Sequence, residues 1–446
     1  MVLARGVGTT VKRYFGYNGH TDMARNIQKP RGTQDILPIE QRYWFWIEDN
    51  WRKMMLSAGF GRITTPTFED TNLFTRGVGE TTDIVSKEMY SFKDRSDNPL
   101  TLRPEGTAGV VRAYIENGMH KDPQPVKLYY FGPMFRYDRP QSGRYREFYQ
   151  AGVELLGELD PIVDAQIIAI VMKYYTKLGL KDIVVRINSV GDAKSRPKIQ
   201  RALIDFLSAH RRNLCKDCKR RMTKNPLRVL DCKEKSCQAV AEEAGGVVLD
   251  NLNNDSRNYF TKVLEYLDDM RVEYELDPRL VRGLDYYTHT VFEVTTKTGG
   301  LSLGAGGRYD GLVELLGGPD TPAVGFAVGV ERTIDTLKQQ QANVPEPMKP
   351  NVFVVQLGDD AKKKAIQVID RLDNAGYQVA HALGRGSIKS QLRVADRLGT
   401  SLAVIIGSQE VHDKSVIIRD LNDRTQESVL DRDMIKAVQR KLKEKK

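Results

Sequence analysis

Between Lys127 and Gly157 the chain carries two runs of β-formers, Leu128-Tyr-Tyr-Phe131 leading to Phe135-Arg136 and then Phe148 to Leu156, around a polar, glycine-containing stretch from Arg139 to Arg146. Two such runs joined by one loop read as an antiparallel hairpin with a long basic loop. Side chains alternate along a strand, so Tyr149, Ala151, Val153 and Leu155 face a core while Phe148, Gln150, Gly152 and Glu154 share the other face. A ring, an amide, a missing side chain and a carboxylate in a row pack poorly against apolar neighbours. The bland alternative is a solvated face, but glycine is an odd choice in a strand interior, and the row is expected to floor a polar ligand. Arg136, across the hairpin, could lie on the same floor.

The rest of the chain divides around this hairpin. Ile39 to Ala58 has apolar and aromatic residues at helical spacing (Tyr43, Ile47, Trp51, Met54, Met55), which predicts a helix packed on a sheet, with turns at Gly59 and Gly61. Residues 195–275 read as a helical insertion. Strands are expected at Thr288 to Thr295 and Ala323 to Val330, the second running into a helix from Glu331 to Leu337. Pro345, Pro347 and Pro350 mark 339–350 as a linker. Beyond it strands at Val352 to Gln356, Gln378 to Ala382 and Leu402 to Ile406 alternate with helices at Ala361 to Ala375 and Ile388 to Leu398. That order implies βαβ units with a mainly parallel sheet, in a separate small α/β domain over 351–446.

Length and composition set the outer bounds. A chain of 446 residues is long enough for two to four domains, and no apolar run approaches a membrane span. The formal charge of +10 suits a polyanionic partner. Residues 211–228 hold Arg211, Arg212, Lys216, Lys219, Arg220, Arg221, Lys224 and Arg228 against one acid, Asp217, and are expected to face a phosphate backbone. A solvated charge cluster is the plainer alternative. Residues 1–22 carry Arg5, Lys12 and Arg13 but lack the apolar core of a secretory signal; an organelle-targeting peptide is the weaker alternative to an upstream extension or a misplaced start before the ordinary start at Met23, and the protein is expected to be cytoplasmic.

All four cysteines fall in the insertion, as Cys215-x2-Cys218 and Cys232-x4-Cys237. Four soft ligands on short loops could hold a structural zinc. The second spacing departs from the usual knuckle, so reduced thiols without metal are the expectation, and a disulfide scaffold is implausible in a chain of this size without a signal peptide.

Three further clusters put charged groups beside glycine or proline at strand ends: Thr101-Leu-Arg-Pro-Glu105-Gly-Thr107, Arg282-Gly-Leu-Asp285-Tyr286-Tyr287-Thr288, and Leu303-Gly-Ala-Gly-Gly-Arg308-Tyr-Asp310. The glycine run is weak evidence for phosphate binding, and no P-loop pattern exists. Together with Arg31-Gly-Thr-Gln-Asp-Ile-Leu-Pro38, the Phe135 to Glu154 hairpin and Gly325-Phe-Ala-Val-Gly-Val-Glu-Arg332, these blocks resemble the histidine–tRNA ligases of the class II aminoacyl-tRNA synthetases. The hairpin looks like motif 2 of that class and Gly325 to Arg332 like motif 3. The resemblance runs from Arg31 to the end.

The resemblance implies a catalytic domain over 23–338 with a mixed, mainly antiparallel sheet flanked by helices and bearing the insertion, and an anticodon-binding domain over 351–446. It implies ATP-dependent activation of L-histidine, with Mg2+ accompanying the ATP, and transfer to the 3′ end of tRNA(His) by a homodimer. Glu105, Thr107 and Gln150 would hold the α-ammonium, and Glu154 with Tyr287 would read the imidazole, beside Tyr286. Arg136 and Arg282 would bracket the α-phosphate and the attacking carboxylate. Phe148 would stack on adenine, and Arg144 and Arg332 would take the β and γ phosphates. The chemistry agrees, since an ammonium needs acceptors and an imidazole offers a nitrogen on each side. A regulatory or tRNA-sensing paralogue without aminoacylation is the rival. The 350–446 tail argues against the first form, and the absence of a kinase region before Arg31 against the second. A class II ligase for another amino acid would need a pocket other than Glu154, Tyr286 and Tyr287.

Overall fold

The computed structural model describes residues 27–80, 82–139, 143–300 and 302–443. The expected extension at 1–22 and the hairpin tip at Pro140 to Ser142 lie outside these residues. Internal contacts separate two units, Met1–Val344 and Pro345–Lys446.

The first unit contains strands β1 (Gly61–Arg62), β2 (Phe68–Asp70), β3 (Tyr90–Lys93), β4 (Pro99–Leu102), β5 (Val126–Phe135), β6 (Glu147–Leu156), β7 (Ile183–Ser189), β8 (Tyr274–Leu276), β9 (Thr288–Thr296), β10 (Gly304–Arg308) and β11 (Ala323–Gly329). Eight form one sheet in the order β1-β5-β6-β11-β10-β9-β7-β8. Its five central pairings are antiparallel and only the two edge pairs, β1·β5 and β7·β8, run parallel. The expected hairpin is β5–β6, in register from Val126↔Leu156 to Phe135↔Glu147. A separate small sheet, β2-β4-β3, was not foreseen.

The alternation read in β6 divides two apolar clusters. Ala151, Val153 and Leu155 join one that includes Ile47, Trp51, Tyr174 and Phe292, while Tyr130 of β5 joins another with Val110, Tyr114 and the insertion. The predicted helix forms over Gln41–Ser57 and buries Trp44, Ile47, Trp51, Met54 and Met55 against the sheet. Burying each such side chain contributes roughly 1.5–3 kcal/mol. Trp51 also donates its indole N–H to the Tyr130 carbonyl at 3.3 Å, so this large ring is buried without an orphaned donor. The insertion folds as helices Arg196–Ala209, Lys216–Lys224, Lys235–Asp250 and Asn254–Asp269, joined by 3-10 turns that include Pro226–Val229.

The second unit has β12 (Val352–Gln356), β13 (Val379–His381), β14 (Leu402–Ile406), β15 (Ser415–Asp420) and β16 (Gln426–Leu430), in the order β13-β12-β14-β15-β16. The three strands expected from the sequence are parallel. The last two extend the sheet as an antiparallel hairpin, which the reading of βαβ units did not include. No described helix is long and apolar enough to cross a membrane.

Candidate active site

The non-core face of the hairpin opens on a cavity of about 560 Å³ in the first unit, bordered by Glu105, Thr107, Arg136, Arg144, Phe148, Gln150, Arg282, Tyr286, Tyr287 and Arg332. Residues from four separate sequence blocks therefore meet in one space.

One end of it is built from acceptors. Glu105 closes the start of the helix Thr107–Glu116, its two oxygens accepting the backbone N–H groups of Thr107 (2.7 Å) and Ala108 (2.9 Å). Burial pushes the Glu105 carboxyl up, against those bonds. Glu154 lies behind the wall, 1% exposed. It accepts hydrogen bonds from Thr107 Oγ1 (2.8 Å), Tyr309 Oη (2.5 Å) and Tyr130 Oη (3.4 Å). Burial drives its carboxyl to about 8, and the Tyr309 and Thr107 bonds act in the opposite direction. The buried Gln150 Oε1 has no partner. Tyr286 and Tyr287 are buried with ring centroids 4.8 Å apart, and Tyr309 meets Tyr286 edge-on at 5.6 Å.

The other end is built from guanidinium groups. Arg136 donates from Nε to the Pro104 carbonyl (2.8 Å) and lies 5.3 Å from the Phe148 ring centroid. Arg332, at the start of the helix Val330–Gln339, donates to the Gly143 and Ser302 carbonyls, both at 2.9 Å. Arg144 pairs with Asp138 (3.0 Å) and Arg282 with Glu293 (3.1 Å). The buried Nε atoms of Arg144 and Arg282 have no partner. Neutral carbonyls orient the first two arginines without cancelling their charge, so an anion entering here meets donors already aimed.

Several expectations shift in detail. Glu154 was expected to touch a ligand directly; its carboxylate stands behind Thr107 and Tyr309. Gly152 was read as room for a ligand, but the space belongs to Tyr130: a Cβ at Gly152 would lie 2.1 Å from Tyr130 Cζ, and one at Gly106 would lie 2.4 Å from it. The glycine run of β10 serves packing, since a Cβ at Gly306 would lie 2.2 Å from the Gly325 carbonyl. Arg308 beside it is fully buried and bonded to Asp164 (2.6 Å) and Asp310 (2.9 Å), which makes it structural. The basic run also divides: Arg211, Arg212, Lys216, Lys219, Arg220 and Lys224 are exposed, whereas Arg221 pairs with Asp83 (2.9 Å) and Arg228 donates to the Gly283 carbonyl (2.5 Å), next to Arg282.

The sequence reading missed Tyr309 and Glu293. Tyr309 stood inside a quoted block, but its bond to Glu154 crosses the sheet. Glu293 carried a readable signal, as the lone carboxylate in the apolar run Val291 to Val294.

Comparison with known proteins finds relatives that match both units of the chain. The family model described as histidyl-tRNA synthetase matches residues 32–333, and one described as an anticodon binding domain matches residues 351–441. The histidine–tRNA ligase of Pelotomaculum thermopropionicum is 49% identical over 403 residues, covering 90% of this chain and 95% of its own. That of Desulforamulus reducens is 47% identical over 410 residues, 91% of this chain and 97% of its own. The apo Staphylococcus aureus histidyl-tRNA synthetase superposes with a TM-score of 0.76 at 38% identity, covering 92% of this chain and 99% of its own. A Bacillus halodurans chain described as an ATP phosphoribosyltransferase regulatory subunit/histidyl-tRNA synthetase, 22% identical with a TM-score of 0.64 over 86% of this chain and 99% of its own, shares the fold. A match this long, carried through both units by sequence and structure, makes the chain a member of the histidyl-tRNA synthetase family.

Proposed function

We propose that the cavity activates L-histidine with ATP and passes it to the 3′ end of tRNA(His), with the acceptor end holding the amino acid and the arginine end holding the triphosphate. The observation that carries this reading is the meeting of Arg136 and Arg282 with Glu105, Thr107 and Gln150 around one space. The α-ammonium takes the free lone pairs of Glu105, Thr107 and the unpartnered Gln150 Oε1. Thr107 donates its proton to one oxygen of Glu154 and keeps its own oxygen as an acceptor, while Tyr309 shares a proton with the other oxygen of a carboxyl that burial favours in the protonated form, so its hydroxyl can meet either nitrogen of the ligand ring. Glu154 thus acts on the imidazole through the Tyr309 hydroxyl, beside Tyr286 and Tyr287. An analogue without matching N–H groups leaves buried acceptors unpaired and is rejected, by as much as about 10⁴-fold.

The histidine carboxylate is already ionised and needs no general base. One of its oxygens attacks the α-phosphorus, the bond from that phosphorus to the bridging oxygen breaks, and pyrophosphate leaves. Repulsion between the two anions is the obstacle, which Arg136 and Arg282 remove while fixing the line of attack. Phe148 stacks on adenine, and Arg144 and Arg332 hold the outgoing phosphates. Mg2+ accompanying the nucleotide would neutralise phosphate charge; Glu293 and Glu331, both on the cavity border, offer the hard oxygen donors it takes. In the second step a ribose hydroxyl of the terminal adenosine attacks the acyl carbon, its proton passes to the adenylate phosphate, the acyl–phosphate bond breaks and AMP leaves. The exposed cations of 211–224 and the second unit would hold the tRNA. A cytoplasmic homodimer is the setting that the family resemblance implies.

ATP–pyrophosphate exchange measured with each of the twenty amino acids tests this reading. Exchange dependent on histidine alone is expected. Preference for another amino acid would overturn the substrate assignment.

A further inference from the structure

The four cysteines take no part in the reaction above. Their sequence spacing argued for separate reduced thiols, yet the fold gathers them: the Sγ atoms of Cys215, Cys218, Cys232 and Cys237 all lie within 4.8 Å of one another. Cys215 and Cys232 are 3.9 Å apart. Four thiolates around one zinc at Zn–S of about 2.3 Å stand about 3.8 Å from each other. The cluster is therefore compact enough for one ion to reach all four sulfurs with small side-chain adjustments.

Local structure explains why the irregular spacing does not matter. Cys215 caps the helix Lys216–Lys224 and Cys218 sits in its first turn. The 3-10 turn Pro226–Val229 folds the chain back, which returns Cys232 to the same spot, and Cys237 lies near the start of the helix Lys235–Asp250. Helical turns, not a second tight knuckle, bring in the last sulfur. Backbone donors already serve the sulfurs: the Cys215 N–H points to Cys237 Sγ (3.1 Å) and the Cys218 N–H to Cys215 Sγ (3.4 Å). Such N–H···S contacts, with the exposed lysines and arginines around them, offset the charge of several thiolates in one place. Cys218 and Cys237 are buried and the other two half-buried, so the cluster is shielded.

We propose that Cys215, Cys218, Cys232 and Cys237 bind one zinc ion in a closed, four-thiolate structural site. With all four positions taken by protein there is no open coordination site for chemistry. The ion's effect is on position. Cys232 itself borders the cavity with Asp231 and Lys233. Between the two cysteine pairs Arg228 grips the Gly283 carbonyl at 2.5 Å. Zinc would pin both ends of the segment that braces the Arg282 loop.

The test is elemental analysis of the full chain, purified under reducing conditions with zinc present and without a metal-affinity step. About one zinc per chain is expected, kept through dialysis and released by a mercurial in step with the titration of four thiols. Cobalt substitution should give the thiolate charge-transfer and intense visible bands of a tetrahedral site. Cys237→Ser, whose sulfur comes from the irregular spacing, should lower zinc retention at least about tenfold. A wild-type chain that is folded by circular dichroism yet holds less than about a tenth of an equivalent of zinc would overturn the proposal, as would iron in its place or disulfides among the four. Because metal content is read without activity, failure here leaves the synthetase reading untouched.

Discussion

At the acceptor end of the cavity the Glu154 carboxylate is held wholly by its own protein, through Thr107, Tyr309 and Tyr130; at the other end each arginine has one or two tethers and Arg144 and Arg282 keep a buried nitrogen unpaired. The Glu154 wall of the first end is complete before a ligand arrives, although Gln150 Oε1 at that end is unpartnered. The second is aimed but unfinished. Such a difference suits an amino acid that must be recognised by shape and hydrogen bonding, and a triphosphate whose charge grows and moves during the reaction. Preorganised acceptors give selectivity, whereas under-satisfied cations reserve their interaction for the transition state.

The largest effect should come from the unfinished end. Arg282→Ala is expected to lower histidine-dependent pyrophosphate exchange by about 10²–10³-fold with an unchanged circular dichroism spectrum. Retention of more than about a tenth of the activity would break the comparison. At the complete end, Tyr309→Phe removes one donor to Glu154 and one acceptor from the wall, and a loss of about 10–100-fold in kcat/KM for histidine follows, with KM for ATP nearly unchanged. Equal change in both KM values would mean that the ends are not distinct.

A smaller effect should separate binding from chemistry within the basic run. Reversing Arg211 and Arg212, both exposed, is expected to weaken tRNA charging about tenfold at moderate salt while sparing exchange. Equal loss of both steps would refute that division.

A separate effect concerns stability and not activity. The Glu154 carboxyl is raised to about 8 in the fold, above its ordinary value of 4.5, so the folded chain holds a proton that the unfolded chain gives up first. Its contribution is full below about pH 4.5 and is lost as pH rises towards 8, so this group makes the protein less stable across that window. Glu154→Gln does not titrate, and its Tm should fall less than that of wild type between pH 5 and pH 8. Parallel curves would show that Glu154 carries no such shift.

What the sequence disclosed follows from how local each signal is. The strands β5 and β6 were legible because alternation over ten residues is set by the chain itself, and the helix Gln41–Ser57 because its apolar stripe repeats every turn. The short strands β2 to β4 and the hairpin β15–β16 were not, since their pairing comes from partners and breaks the strand–helix alternation on which the reading of the second unit relied. In the site, charged residues beside glycines were visible as blocks. The bond from Tyr309 to Glu154, the burial of Tyr130 over Gly152 and the gathering of four cysteines all depend on register and turns that spacing does not encode.

The most direct test of the account is a crystal structure of the chain with a non-hydrolysable histidyl-adenylate analogue. The phosphate mimic is expected between Arg136 and Arg282, the ammonium at Glu105, Thr107 and Gln150, and the imidazole against Tyr309, Tyr286 and Tyr287. An analogue bound with its imidazole towards Arg144 and Arg332, or outside this cavity, would contradict it.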